Sequence, residues 1–255
     1  MTDFEGLSAL VTGGASGIGA ATAELLRRRG ARVAVADLVV PAGGGGGPSG
    51  TEGEVVVRCD VTDRSSVAEA IAAVVGAFGG LDVVVSNAGI GATGDVSAND
   101  DAEWARLLDV NVIGMARVVA AALPHLRRSD RASVVLTGSV VATVGVPNRV
   151  AYAASKGAVQ AMVLAMAADH VGDGIRVNGV SPGTTDTPWV GRLLAAADDP
   201  EGAATALRGR QPLGRLVTPA EVAHAIAHLA SPLSAATTGT ILTVDGGMTG
   251  LRLPT

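Results

Sequence analysis

Seven short runs of β-branched and small apolar residues punctuate the chain: Leu7–Thr12, Arg32–Ala36, Glu54–Cys59, Leu81–Ser86, Ser133–Thr137, Ile175–Val180 and Thr240–Val244. Most are continuous rather than alternating in polarity, the pattern of strands covered on both faces. Between them, residues 17–29, 65–78, 101–128, 151–171 and 218–230 carry apolar positions at helical spacing. Strands alternating with helices predict an α/β fold with a doubly wound, parallel, seven-stranded sheet and helices on both faces. Seven strands and about six helices use up the length, so residues 1–255 read as a single domain.

Two segments break this rhythm. Residues 41–53 (PAGGGGGPSGTEG) hold seven glycines and two prolines where a crossover helix is expected. Glycine disfavours helix and is entropically costly to order, so the segment reads as a flexible loop. Residues 184–211 join a strand to the last long helix and contain Trp189, Arg192, Arg208 and Arg210. A connection this long at the carboxyl edge of a parallel sheet predicts a substrate lid.

Composition narrows the function classes. The net charge of −5 offers no basic face for a phosphate backbone, which argues against nucleic acid. The charge-free run Ala132–Asn148 is interrupted by Gly138, Gly145 and Pro147 and is too short to span a bilayer. The N-terminus lacks a basic region followed by an apolar stretch, so a cytoplasmic protein without a membrane partner is expected. Cys59 is the sole cysteine; no internal disulfide is possible, and no metal site is expected. One detail is odder. Of 19 basic residues all but Lys156 are arginine, and Tyr152 is the only tyrosine.

The first run leads into Thr12-Gly13-Gly14-Ala15-Ser16-Gly17-Ile18-Gly19, where a helix begins. Glycines in such a turn let the backbone approach a pyrophosphate, while the helix N-terminus supplies free N–H groups and a positive dipole end. The spacing, G-x-x-x-G-x-G, departs from the common G-x-G-x-x-G fingerprint. Asp37 ends the second run, where its carboxylate can accept from both ribose hydroxyls and would repel a 2′-phosphate. The pair of features makes the domain Rossmann-like and predicts NAD rather than NADP. Asp60-Val61 and Asn87-Ala88-Gly89 follow the third and fourth runs at the same carboxyl edge. Each reads equally well as a turn former or as a cofactor contact.

Tyr152 and Lys156 stand four residues apart on a predicted helix and so share a face. A tyrosine with pKa ~10 serves as a general acid–base only when its phenolate is favoured, and a neighbouring ammonium does this. Ser139, just past the fifth run, can hydrogen-bond a substrate oxygen.

TGGASGIG, Asp37, the Asp60-Val61 pair, Asn87-Ala88-Gly89, Asn111, Ser139, the YAASK of 152–156, Pro182-Gly183 and Val244-Asp245-Gly246-Gly247 stand in one order. In that order and spacing the chain resembles the short-chain dehydrogenase/reductase family from Gly6 to Gly247. The resemblance implies an NAD-dependent oxidoreductase acting on a secondary alcohol or ketone. Asn111, Ser139, Tyr152 and Lys156 would be catalytic, with Asn111 helping to hold a proton-relaying water. The cofactor would be bound by Gly13, Ser16, Gly17, Ile18, Gly19, Asp37, Asp60, Val61, Asn87, Ala88, Gly89, Tyr152, Lys156, Pro182, Gly183, Thr185 and Thr187. A homotetramer is also implied, with the helices around 101–128 and 151–171 in one interface. The glycine run departs from the family, which has a helix there.

The segment from Pro182 to Leu194 is similar to the branch that oxidises sugar acids and polyols, such as 2-keto-3-deoxy-L-fuconate dehydrogenases. Arg149, Trp189 and Arg192 are candidate substrate residues, the two arginines for a carboxylate. Alternatives on the same scaffold are a 3-oxoacyl-thioester reductase, usually NADPH-dependent and so opposed by Asp37, and a hydroxysteroid or small-alcohol dehydrogenase. A non-enzymatic NAD-binding regulator would typically lack Ser139, Tyr152 or Lys156, and all three are present.

Overall fold

The computed structural model describes residues 2–39 and 54–252. The glycine-rich segment 41–53 lies outside the described residues. Strands β1 (Ser8–Thr12), β2 (Arg32–Asp37), β3 (Glu54–Arg58), β4 (Val83–Ser86), β5 (Ser133–Thr137), β6 (Arg176–Pro182) and β7 (Ile241–Val244) form one parallel sheet. Its order is β3-β2-β1-β4-β5-β6-β7, so the winding reverses between β1 and β4. That reversal opens a crevice at the carboxyl ends of the two strands, where ligands bind in such sheets.

The continuous valine runs are explained by two-sided burial. Val83, Val84 and Val85 are all fully buried, yet alternate residues meet different cores. Val84 joins Leu10, Val134 and Val159 on one face, whereas Val83 and Val85 join Val11, Leu26 and Ile226 on the other. The first face is covered by α2 (Arg64–Phe78), α4 (Gly114–Leu126) and α5 (Val150–His170), the second by α1 (Gly17–Arg28) and α8 (Pro219–Ala230). Each fully buried valine contributes roughly 1.5–3 kcal/mol relative to exposure.

Helix ends follow local chemistry. Asp63 accepts from the Ser65 N–H ahead of α2, and the helix closes on Gly79 in the left-handed region (φ 78°). Thr218 and Glu221 form a reciprocal capping box at α8, whose first residue is Pro219.

One expectation is revised. The single helix anticipated over 101–128 is α3 (Asp101–Leu108), a π turn at Asp109–Ile113, and then α4. The wide turn holds Asn111, whose carboxamide bonds a neighbouring loop instead of following the helix. Residues 184–211, the segment expected to form the lid, contain α6 (Pro188–Ala195) and α7 (Pro200–Gly209). Both start on a capping residue followed by proline, Thr187-Pro188 and Asp199-Pro200.

By length and composition alone, Asp101–Leu126 and Val150–Asp173 are apolar enough to cross a membrane. In the fold their buried faces, Met115, Val118 and Val119 on one and Val159 and Val163 on the other, lie in the core beneath the sheet.

Candidate active site

A cleft of about 850 Å³ runs along the carboxyl edge of the sheet. It brings together the turn after β1, the ends of β2 and β3, the loop after β4, Ser139, Tyr152, Lys156, and the segment carrying α6 and α7.

The turn after β1 is shaped by glycine. Gly13 (φ 62°) and Gly17 (φ 54°) are left-handed. A Cβ on Gly19 would overlap the Gly13 carbonyl oxygen, and one on Gly13 would stand 2.9 Å from Ala88 Cα. Ser16 caps α1 by position only; its side chain accepts no capping hydrogen bond. The first N–H groups of α1 therefore face the cleft without a side-chain partner at the cap, as an anion-binding turn requires. Asp37, at the end of β2, accepts from the Ala15 N–H at 3.0 Å and lines the same end of the cleft. This glycine cradle beside an acidic strand end fits the pyrophosphate and ribose of a dinucleotide.

Asn87 works as a bracket. Its N–H donates to Thr12 Oγ1 at 3.0 Å, its Nδ2 to the Thr12 and Gly13 carbonyls at 3.1 and 3.2 Å, and its Oδ1 accepts from Thr137 Oγ1 at 3.2 Å. One side chain thus ties together the ends of β1, β4 and β5. Asp60 is likewise engaged locally, accepting from the Thr62 N–H (2.9 Å) and hydroxyl (2.7 Å). Those bonds hold its carboxyl below the usual range. Both line the cleft along with Val61, Ala88 and Gly89, so turn former and lining residue are one and the same here.

Tyr152 and Lys156 lie one turn apart on α5, with Lys156 Nζ 5.8 Å from the phenol ring centroid. Lys156 is buried and donates to the Thr137 carbonyl at 2.8 Å. Burial depresses its pKa from 10.5 to about 8. Desolvation also pushes the Tyr152 phenol up, opposed by the Ser139 hydrogen bond and by the charge of Arg149. The sequence pointed to Lys156 as the group that favours the phenolate. In the folded protein the Ser139 hydrogen bond and the Arg149 charge also favour the phenolate, while the Lys156 ammonium donates to the Thr137 carbonyl. Ser139 itself is held at the entry to a short 3-10 turn, accepting from the Val141 N–H at 3.4 Å.

Asn111 is fully buried. Its Oδ1 accepts from the Ile90 N–H at 2.8 Å; its Nδ2 donates to the Ile90 carbonyl (2.9 Å) and Ser155 Oγ (3.1 Å). Ser155 Oγ donates in turn to the Tyr152 carbonyl at 2.8 Å. Asn111 thereby locks the loop after β4 to the helix carrying the tyrosine.

The far wall comes from the segment after β6. Pro182, Gly183, Thr185 and Thr187 line the cleft, and Thr187 packs on the glycine turn: a Cβ on Gly17 would meet Thr187 Cγ2 at 3.3 Å. The Trp189 indole lies directly on Gly91, leaving no space for a Cβ there. Arg149 donates to the Ala92 carbonyl at 2.9 Å and to Thr93 Oγ1, and Arg192 also lines the cleft. Sequence reading left out Arg210 and Leu207, which α7 brings to the same wall; only their position in a long connection at the carboxyl edge hinted at it. Among the described residues, no group of three or more His, Cys, Asp or Glu side chains is placed to hold a metal.

A doubly wound sheet with a glycine turn at its switch point, and a Ser/Tyr/Lys trio beside it, defines a dinucleotide-dependent oxidoreductase. Comparison with known proteins agrees. A family model described as enoyl-(acyl carrier protein) reductase matches residues 13–249. The chain is 40% identical over 246 residues to cis-4-hydroxycyclohexanecarboxylate dehydrogenase of Sinomonas cyclohexanicum, covering 95% of this chain and 96% of that one. It is 39% identical over 250 residues to L-fucose dehydrogenase of Mus musculus, covering 97% and 90%. Among solved structures, ligand-free aldohexose dehydrogenase of Thermoplasma acidophilum superposes with a TM-score of 0.89 at 32% identity, covering 100% of this chain and 99% of that one. The chain belongs to the short-chain dehydrogenase/reductase family and is an oxidoreductase acting on CH–OH groups.

Proposed function

We propose that the protein oxidises a cyclic secondary alcohol with NAD⁺ as its preferred cofactor. The observation that carries this reading is the convergence of Ser139, Tyr152 and Lys156 on one cleft with the Gly13–Gly19 turn and Asp37. Gly13, Ser16, Gly17, Ile18 and Gly19 would hold the pyrophosphate, and Asp37 the adenosine ribose, where its charge disfavours a 2′-phosphate. Asp60, Val61, Asn87, Ala88 and Gly89 would line the groove; Pro182, Gly183, Thr185 and Thr187 would cover the nicotinamide end. The bound cofactor supplies the hydride acceptor. Tyr152 takes the hydroxyl proton of the substrate, Ser139 holds the substrate oxygen, and Lys156 binds ribose hydroxyls while adding positive charge beneath the site. Asn111 is a positioning residue: its carboxamide is spent on Ile90 and Ser155, so a relay water would fall to its main chain.

A ring-bearing substrate is supported by the two dehydrogenases and the aldohexose enzyme above, and Trp189 offers a flat wall for one. A 3-oxoacyl-thioester reductase is disfavoured by Asp37. Residues 184–211 act as the lid of a single catalytic domain. We also place the enzyme in the cytoplasm as a homotetramer; exposed Ile113, Leu164 and Val171 on the helical faces of 101–126 and 150–173 support an interface there.

Tyr152→Phe tests the chemistry. Turnover should fall by about 10²–10⁴-fold, the range of a lost general acid–base, while NADH binding by fluorescence persists. Loss of NADH binding along with turnover would make the tyrosine structural. Kinetics with NAD⁺ and NADP⁺ in parallel test the cofactor, and sedimentation tests the assembly.

A further inference from the structure

The adenosine end of the cleft is supported from outside by one helix. Val61 follows β3 and lines the cleft together with Asp37 and Asp60. The Cys59 N–H donates to the Asp37 carbonyl at 2.8 Å, so the chain leaving β3 passes beside the acidic end of β2. Buried Val61 is thereby an apolar wall at the end of the cleft that Asp37 marks for the ribose and its base.

The turn that carries Val61 is largely self-contained. The Asp63 N–H donates to the Asp60 carbonyl at 3.0 Å, the Thr62 N–H to the Asp60 carboxylate at 2.9 Å, and the Asp60 N–H to Ser66 Oγ at 3.0 Å. Among the described residues, the one hydrogen bond that ties residues 60–63 to anything beyond themselves and the start of α2 comes from Arg117. Its Nη1 donates to the Val61 carbonyl at 3.2 Å and to Asp109 Oδ1 at 2.7 Å. The Arg117 side chain is only 17% exposed, and a charged donor makes the stronger kind of hydrogen bond. Gly114 stands three residues earlier on α4, on the same face. Val61 rests directly on it: a Cβ on Gly114 would lie 2.9 Å from Val61 Cγ2. Thus α4 holds Val61 twice, its carbonyl through Arg117 and its side chain through the bare backbone of Gly114. A wall ordered before the ligand arrives spares the ligand the cost of ordering it.

We propose that Arg117 and Gly114 are positioning residues for the cofactor, which through Val61 pre-form the adenine wall of the dinucleotide site. This role rests on the reading of the cleft as a dinucleotide site and goes beyond it. Neither residue lines the cleft; both act through Val61. The same guanidinium holds Asp109, the first residue of the π turn that contains Asn111. That turn keeps its own ties, from Asn111 to Ile90 and Ser155. Loss of Arg117 is therefore felt at the adenine end and not at the nicotinamide end.

The test titrates NADH by fluorescence, and ADP-ribose by its competition with NADH, into wild type, Arg117→Met and Arg117→Lys. ADP-ribose carries the adenosine and both phosphates but no nicotinamide. Arg117→Met should weaken both ligands by about tenfold, and by the same factor. Arg117→Lys keeps a charged donor and should recover part of that loss; it carries the test if the methionine variant melts well below wild type. Val61→Ala removes the wall itself, so adding Arg117→Met to it should weaken NADH by less than about threefold more. Unchanged NADH affinity in both Arg117 variants overturns the proposal. So does a loss confined to NADH with ADP-ribose unaffected, or a full tenfold loss on top of Val61→Ala. Where wild type binds NADH and the variants bind it equally well, the positioning role alone falls. A wild type that binds neither NADH nor ADP-ribose sinks the dinucleotide reading and the positioning role with it.

Discussion

Lys156 should make the protein less stable at neutral pH than at alkaline pH, and replacing it isolates the effect. The residue is 4% exposed, and its ammonium has the Thr137 carbonyl as its hydrogen-bond partner. The folded-state pKa is about 8 against 10.5 for the free side chain. Below pH 8 both states carry the proton, and the folded state bears the full cost of the buried charge. Between about 8 and 10.5 the unfolded chain binds more protons than the folded one, so stability rises with pH. At ~1.4 kcal/mol per pH unit separating the two pKa values, the cost is about 3 kcal/mol, most of it relieved by pH 10. Cys59 acts oppositely: burial raises its thiol from 9.0 to about 11, so its contribution falls across that interval. Comparison with Lys156→Met cancels the Cys59 term, and the unbranched thioether fills much the same space. Losing the Thr137 bond costs the variant ~1 kcal/mol at every pH. Urea denaturation of both proteins without cofactor, at fixed protomer concentration, should show the wild type gaining about 2–3 kcal/mol on the variant between pH 7 and pH 10. A stability difference that stays flat across that range, or moves the other way, would refute the argument.

Three further outcomes follow from the packing. Gly19→Ala forces a methyl group into the Gly13 carbonyl oxygen and toward Asn87 Nδ2, so NADH affinity should drop by more than about tenfold, read by fluorescence titration. Gly91→Ala must displace the Trp189 indole, whose Cε2 and Cη2 would lie 3.1 Å from the new Cβ. It should raise KM for the alcohol and shift tryptophan emission to the red, with little change in NADH affinity. Asp37→Ala removes the charge facing a 2′-phosphate and should move the NAD⁺/NADP⁺ ratio of kcat/KM toward NADP⁺ by about tenfold, ~1.4 kcal/mol of relieved repulsion.

The sheet was legible in the chain because its strands are buried on both sides and therefore read as unbroken valine-rich runs. Periodicity placed α1, α2, α5 and α8 to within a residue at each end, whereas α6 and α7 went unread although Thr187 and Asp199 cap them. The trio of Ser139, Tyr152 and Lys156 stood out because the only tyrosine and the only lysine lie four residues apart. Where sequence reading stopped was at groups whose partners are distant in the chain. Helical periodicity could not show the π turn at Asp109–Ile113, nor that its Asn111 carboxamide bonds Ile90, 21 residues away.

The amino-acid order by itself determined the layers, the order of strands and helices, the glycine turn and the one-turn spacing of Tyr152 and Lys156, because each depends on local spacing and burial. The tertiary structure decided what those groups feel. It turned the Lys156 ammonium to the Thr137 carbonyl, made Asn87 a bracket across three strand ends, and tied Arg149 to the Ala92 carbonyl, 57 positions away in the sequence. Electrostatic environment is a property of distance through space, and for these residues only folding sets that distance.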